Sequence, residues 1–113
     1  MTSPGRKYLF DILRAIELAE DFVRDIPDFA AYRADVKTRS AVERQLGIVG
    51  EAVNQLRRVW PHAELPNTKQ MVDFRNRLIH SYDNIDDVIV WAILHRHLPA
   101  LKADVQRHLA EGE

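Results

Sequence analysis

The chain has 113 residues, with 16 Lys and Arg against 17 Asp and Glu, a net charge of −1 and 46% hydrophobic residues. That length suits one domain, 1–113, able to bury roughly 65% of the surface its unfolded chain exposes, and the apolar content excludes a disordered chain. The absence of cysteine excludes a disulfide framework and a thiolate metal site, and the balanced charge carries no global nucleic-acid signal.

Helical periodicity dominates from the start. Leu9, Ile12, Ile16, Ala19, Val23 and Ile26 are spaced 3, 4, 3, 4 and 3 apart, which makes one apolar stripe on a helix. Ser3 and Pro4 resemble an N-cap followed by proline at the first helical position, and Pro27 ends the helix. Asp28 then caps a brief helix through Tyr32. A long helix follows from Val36 to Trp60. Its stripe is Val42, Leu46, Val49, Val53, Leu56 and Trp60, spaced 4, 3, 4, 3 and 4, and Pro61 stops it. Gly47 and Gly50 fall inside it, each costing about 1 kcal/mol relative to Ala. They lie on nearly one face, so close approach of another backbone is expected there.

Residues 61–67 contain two prolines and form a loop. A third helix runs from Thr68 to Tyr82 and is broken by Asp83 and Asn84. Asn84 is placed to cap the last helix, Ile85 to Ala110, with Asp86 and Asp87 in its first turn. The stripe of that helix includes Val88, Trp91, Leu94, Leu98, Leu101, Val105 and Leu109. Pro99 lies inside it, removes one backbone donor and frees the carbonyl of His95, so a kink is expected. The expected fold class is all-α: an up-and-down bundle of four main helices plus one short helix, the last kinked at Pro99. No uncharged apolar run approaches 18 residues, so no transmembrane helix is expected. No apolar h-region follows Met1–Lys7, and the expected location is cytoplasmic.

The chemistry concentrates in Phe74–Asp83, which puts Arg75, Asn76, His80 and Tyr82 within eight positions. These groups bind phosphate and move protons near neutral pH. Arg75 and His80 are five apart, about 140° around a helix, so they do not share a face. Asn76 and His80 do, and Arg75 and Tyr82, seven apart, nearly align. A compact site therefore needs an unwound helix end near His80 or a second copy across a two-fold axis. Two histidines would suit RNA cleavage by 2′-hydroxyl attack, which needs a base and an acid, with arginine stabilising charge at phosphorus. That scheme requires no metal and no cofactor. On spacing alone the bland account stands: Arg75 in a surface ion pair, His80 complementing a helix C-terminus, Tyr82 a core aromatic.

The segment resembles the R-x4-H-x-Y motif of the HepT-like family, within the HEPN superfamily of small helical ribonuclease toxins. Arg75, Asn76, His80 and Tyr82 match it residue by residue. Glu43–Ala52 looks like the family's long-helix segment ending in Gly-Glu-Ala. Ile85–Trp91 and His97–Leu101 look like its kinked final helix, so the resemblance covers Leu9 to Leu109. It implies a homodimer with paired Arg75 and His80 near the two-fold axis, and metal-independent endoribonuclease activity on RNA. It implies the toxin of a type VII-like HEPN/MNT toxin–antitoxin pair, whose MNT-type nucleotidyltransferase antitoxin transfers AMP to Tyr82. AMP there would add bulk and negative charge beside the arginine and repel RNA.

Glu51 is one acid in heptad register with Lys37, Arg44 and Arg58. It reads equally as a carboxylate that positions an arginine of the site or as an ordinary ion pair, and the Gly-Glu-Ala resemblance tips it toward the former. Arg77 adjoins the motif but is first a solvated helix-face residue. His95 and His97 point about 200° apart on a helix and lack a third ligand, which disfavours a metal site. His62 and His108 read as surface residues, and Trp60 and Trp91 as core or interface. Two rival functions remain: a non-catalytic partner of a nucleotidyltransferase that binds RNA or nucleotide, and a helical dimerisation module.

Overall fold

Helices account for the regular structure of residues 3–111, the part of the chain that the computed structural model describes, the side chains of Ser3 and Tyr82 excepted. In chain order they are α1 (Ser3–Val23), α2 (Phe29–Ala34), α3 (Val36–Val59), α4 (Thr68–His80), α5 (Asp87–Ala92) and α6 (Leu98–Glu111). A 3-10 turn, Tyr82–Asn84, follows α4, and a π-helical turn, Ile93–His97, joins α5 to α6. No strand occurs among the described residues. The all-α bundle of four long helical runs and one short helix is as expected, with the α5–π–α6 run as the fourth.

The caps follow local chemistry. Asp28 holds an extended backbone, and its carboxylate accepts from the Ala31 N–H at 2.9 Å. Asp35, not anticipated as a cap, does the same for α3, accepting from the Thr38 N–H at 3.0 Å and the Thr38 hydroxyl at 2.7 Å. Those two bonds hold the Asp35 carboxyl below its ordinary value. Asp86, rather than Asn84, caps α5, its carboxylate accepting from the Val88 N–H at 2.9 Å. Asn84 is instead the last residue of the 3-10 turn, its N–H donating to the Ser81 carbonyl at 2.9 Å. Two residues of separation put the cap where the chain re-enters helix.

Two helices end earlier than expected. α1 stops at Val23, where the N–H groups of Arg24 and Ile26 turn back to the Asp21 and Val23 carbonyls. Proline disfavours helical geometry in the residue before it, so the helix unwinds ahead of Pro27. α4 ends at His80, two residues before Tyr82. Ser81 donates its N–H to the Arg77 carbonyl at 2.7 Å and leaves helical geometry at φ −149°, ψ 43°. The alignment of Tyr82 with Arg75 assumed a continuous helix and does not hold for the backbone; the Tyr82 side chain lies outside the described residues.

The core joins the predicted stripes. Leu9, Ile12, Ile16 and Ala19 of α1 meet Val42, Leu46, Val49, Val53 and Leu56 of α3, closed by Met71 and Phe74 of α4 and by Leu98, Leu101 and Val105 of α6. Val88, placed on the last stripe, is 60% exposed, and Val90 is buried in its place. The π turn explains the shift. It stretches the buried spacing to Val90, Leu94 and Leu98 before Leu101 and Val105 resume the ordinary period. The irregularity expected at Pro99 is this turn, just ahead of the proline. The Leu98 N–H bonds to the Ile93 carbonyl five residues back, and Pro99 has no N–H with which to restore the α pattern.

A polar group is built into the same interior. Tyr32 is fully buried with its hydroxyl unpaired, against Glu43, Arg39 and Asp87. Burial pushes its hydroxyl well above the ordinary tyrosine value, aided by Glu43. Arg39 donates to Asp87 at 3.1 Å and ties α3 to α5. Among the described residues no helix is long and apolar enough to cross a membrane.

Candidate functional site

Arg75 owes its position to a glycine. A Cβ on Gly50 would lie 2.5 Å from the Arg75 Cβ and 2.5 Å from the Met71 carbonyl oxygen. The backbones of α3 and α4 therefore cross with no room for a side chain at Gly50. Gly47, one turn earlier, would put a Cβ 2.8 Å from the Leu78 side chain. The close approach expected from these two glycines is present, and its partner is the helix that carries Arg75.

That crossing brings Glu51, the residue after Gly50, against Arg75. Glu51 Oε1 stands 2.6 Å from Arg75 Nη2, off the hydrogen-bond line, so it acts mainly as charge. The other carboxylate oxygen accepts from Gln55 Nε2 at 2.9 Å, which fixes the carboxylate on α3. Gln55 carried no sequence signal beyond its i+4 spacing from Glu51. Arg75 Nη1 donates to Asn76 Oδ1 at 3.1 Å. One of the arginine's five donors is thus hydrogen-bonded, and the others make no hydrogen bond to any described residue. The guanidinium edges an open groove of about 440 Å³ between α3 and α4, bordered by Arg44, Ile48, Leu78 and Ile79. Its rim is partly apolar, with Ile79 53% exposed.

His80 is elsewhere. It is exposed at the last residue of α4, with Asn76 and Arg77 on neighbouring faces. No described side chain bonds it. Arg75 and Asn76 are brought together, and Arg75 and Glu51 are brought together, while no bond joins His80 to any of the three within one chain. The angular separation computed from helix geometry is therefore what the fold displays.

The remaining candidates divide. His97 Nδ1 donates to Asn67 Oδ1 at 2.8 Å, while Asn67 Nδ2 donates to the His97 carbonyl at 3.3 Å. His95 instead packs edge-on against Trp91, ring centroids 4.3 Å apart. Among the described residues no group of three or more His, Asp and Glu is gathered around one point. His62 is exposed as expected. His108 is not a surface residue: its side chain is 13% exposed and stacks edge-on against Trp60, centroids 5.0 Å apart. His108 and Trp60 line a groove together with the loop before α4. Trp91 packs against Phe29 and Tyr32, at 6.1 and 5.4 Å.

Comparison with known proteins is consistent with this arrangement. A sequence model of the family described as "Ribonuclease HepT-like" matches residues 12–108. The chain is 38% identical to "Probable ribonuclease HepT" of Thermococcus cleftensis, over 95% of this chain and 97% of that protein. It is 34% identical to "Putative RNase MJ1380" of Methanocaldococcus jannaschii, over 89% and 93%. It is 32% identical to "Putative RNase TTE0752" of Caldanaerobacter subterraneus, over 92% and 93%. No solved structure matches. With nearly the whole chain matched, glycine crossing and R-x4-H segment included, this protein belongs to the ribonuclease HepT-like family.

Proposed function

We propose that this chain, acting as one domain over residues 1–113, is a metal-independent endoribonuclease and the toxin of a type VII-like HEPN/MNT toxin–antitoxin pair. Two copies meet with their α4 helices across a two-fold axis. Arg75 binds the scissile phosphate and His80 serves as acid and base. The 2′-oxygen attacks phosphorus as one His80 takes its proton. The P–O5′ bond breaks as the partner's His80 protonates the departing oxygen, leaving a 2′,3′-cyclic phosphate and a 5′-hydroxyl. Arg75 offsets the charge that builds on the phosphoryl oxygens. Asn76 orients the guanidinium it already bonds, and Glu51 positions Arg75 from α3.

The observation that carries this reading is the arrangement of α4. Arg75 is held on one side by Glu51 and Asn76 with donors to spare, and His80 stands free on the other. One protomer so built is half a site, and the matched relatives are named as ribonucleases. Tyr82, two residues past His80, is the acceptor of AMP from a nucleotidyltransferase antitoxin, which adds bulk and phosphate charge close in sequence to His80 and excludes RNA.

Purified protein incubated with total RNA should cleave it, with and without EDTA. His80→Ala and Arg75→Ala proteins should fold, dimerise and leave RNA intact. Cleavage by a well-folded His80→Ala protein would overturn the assignment. Intact mass after incubation with ATP and the antitoxin should rise by AMP units, and Tyr82→Phe should not gain them. Uncleaved RNA together with a stable antitoxin complex would favour a non-catalytic partner subunit instead.

A further inference from the structure

On the His80 side of α4 lies a second groove, of about 300 Å³, between α4 and the run from α5 into the π turn. Its floor is apolar, made by Phe74, Ile89 and Ile93, and its rim is polar, made by Gln70, Asp73, Arg77 and His97. Arg77 is exposed and no described residue pairs with it. Asp73 meets only Lys69 at the surface, at 2.7 Å. An apolar floor bordered by a few polar groups suits a small ligand with an apolar face and a polar edge.

The rim has one deliberately fixed member. Asn67 occupies the N-cap position of α4 in the left-handed conformation, φ 63°, and its side chain makes no capping bond. It is directed instead to His97, donating from Nδ2 to the carbonyl at 3.3 Å and placing Oδ1 2.8 Å from Nδ1. With Nδ2 committed to a carbonyl, Oδ1 must be the acceptor. The neutral ring therefore carries its proton on Nδ1 and presents Nε2 as an acceptor. No described residue takes Nε2. A π turn carries that histidine, and such turns recur where a helix is reshaped for a ligand.

We infer that this groove seats one unpaired guanine of the RNA, next to the scissile phosphate. The inference rests on the ribonuclease reading above and adds a base preference to it. Guanine offers O6 and N7 to an arginine fork, and N1–H and N2–H to acceptors. Arg77 supplies the fork, and Nε2 of His97 with the Asp73 carboxylate supplies the acceptors. Adenine would set its N1 lone pair against Nε2, and a pyrimidine has no N7 for Arg77. Arg77 lies three residues before His80, about 60° around the helix and about 4.5 Å along it, which is the reach from a phosphate to an adjoining base.

The test sequences the ends left on random RNA oligomers. Wild-type protein should cut beside guanine with a preference on the order of tenfold over adenine. Arg77→Ala, at an exposed position that cannot perturb the fold, and His97→Phe should keep cutting while losing that preference. Cleavage with no base preference, or a preference that survives both substitutions, overturns the inference and leaves the ribonuclease reading standing. Should the wild-type protein cut no RNA, the ribonuclease reading falls and the groove is judged by titration. Selective shifts of the Ile89 and Ile93 methyl signals with 5′-GMP over 5′-AMP uphold it, and equal or absent shifts overturn it.

Discussion

The two sides of α4 are built to opposite ends. Toward α3, Gly50 lets the backbones touch, and Glu51, itself fixed by Gln55, holds Arg75 by charge. Toward solvent and the last helix, His80 stands exposed and Arg77, also exposed, borders a groove. The packed side aims a charge, and a small displacement of the helix there would be transmitted to the guanidinium. The open side leaves its groups free to meet another molecule, and can be altered without touching the core. Effects on stability and on chemistry should therefore separate by face.

The sharpest way to break that contrast is His80→Ala. It should reduce RNA cleavage by about 10²–10⁴-fold while thermal unfolding stays within about 0.5 kcal/mol of wild type, as for an exposed position. A large loss of stability would show that the open face is not open. Gly50→Ala is the complementary lesion. It gains about 1 kcal/mol of helix propensity, but its Cβ meets backbone, so a net loss of about 2 kcal/mol is expected in denaturant unfolding. Gly47→Ala meets only the end of a leucine side chain and should be nearly neutral. Glu51→Gln should weaken cleavage between about 10- and 100-fold by releasing Arg75, with under about 1 kcal/mol lost from a half-exposed pair. Equal losses of both would make Glu51 a structural residue only.

A small, pH-dependent effect is expected away from both faces. Burial, and then Asp87, raise the Glu43 carboxyl above its ordinary value, against Arg39. The folded chain therefore holds that proton more tightly than the unfolded chain does. Stability from this group falls as pH rises from the ordinary carboxylate value through the raised one. Glu43→Gln should stabilise slightly at pH 7, by under about 1 kcal/mol, and the gain should vanish at pH 4. A gain independent of pH would mean that packing, not charge, sets the difference.

Much of this was legible in the sequence where one residue's neighbours on its own helix decide the outcome. The 3–4 spacing marked the buried faces of α1 and α3, Asp28 marked a cap, and the paired glycines marked a helix crossing. The angle between Arg75 and His80 followed from helical pitch alone. What escaped depended on contacts between elements. The π turn shifts the stripe of the last helix by widening one turn, which no spacing rule anticipates. Asn67 after Pro66 could have signalled a left-handed residue, since asparagine tolerates that conformation, but its bond to a histidine thirty residues on is tertiary. The cluster of Tyr32, Arg39, Glu43 and Asp87 is likewise assembled from three helices.

The Asn67 clasp also sets how the molecule opens. Asn67 grips His97 with its side chain and accepts the Met71 N–H with its carbonyl, at 3.3 Å. The loop before α4 and the middle of the last helix thus cannot part separately. In amide hydrogen exchange, Met71 and Leu98 should lose protection as one unit, and Asn67→Ala should split it into two that exchange at different rates.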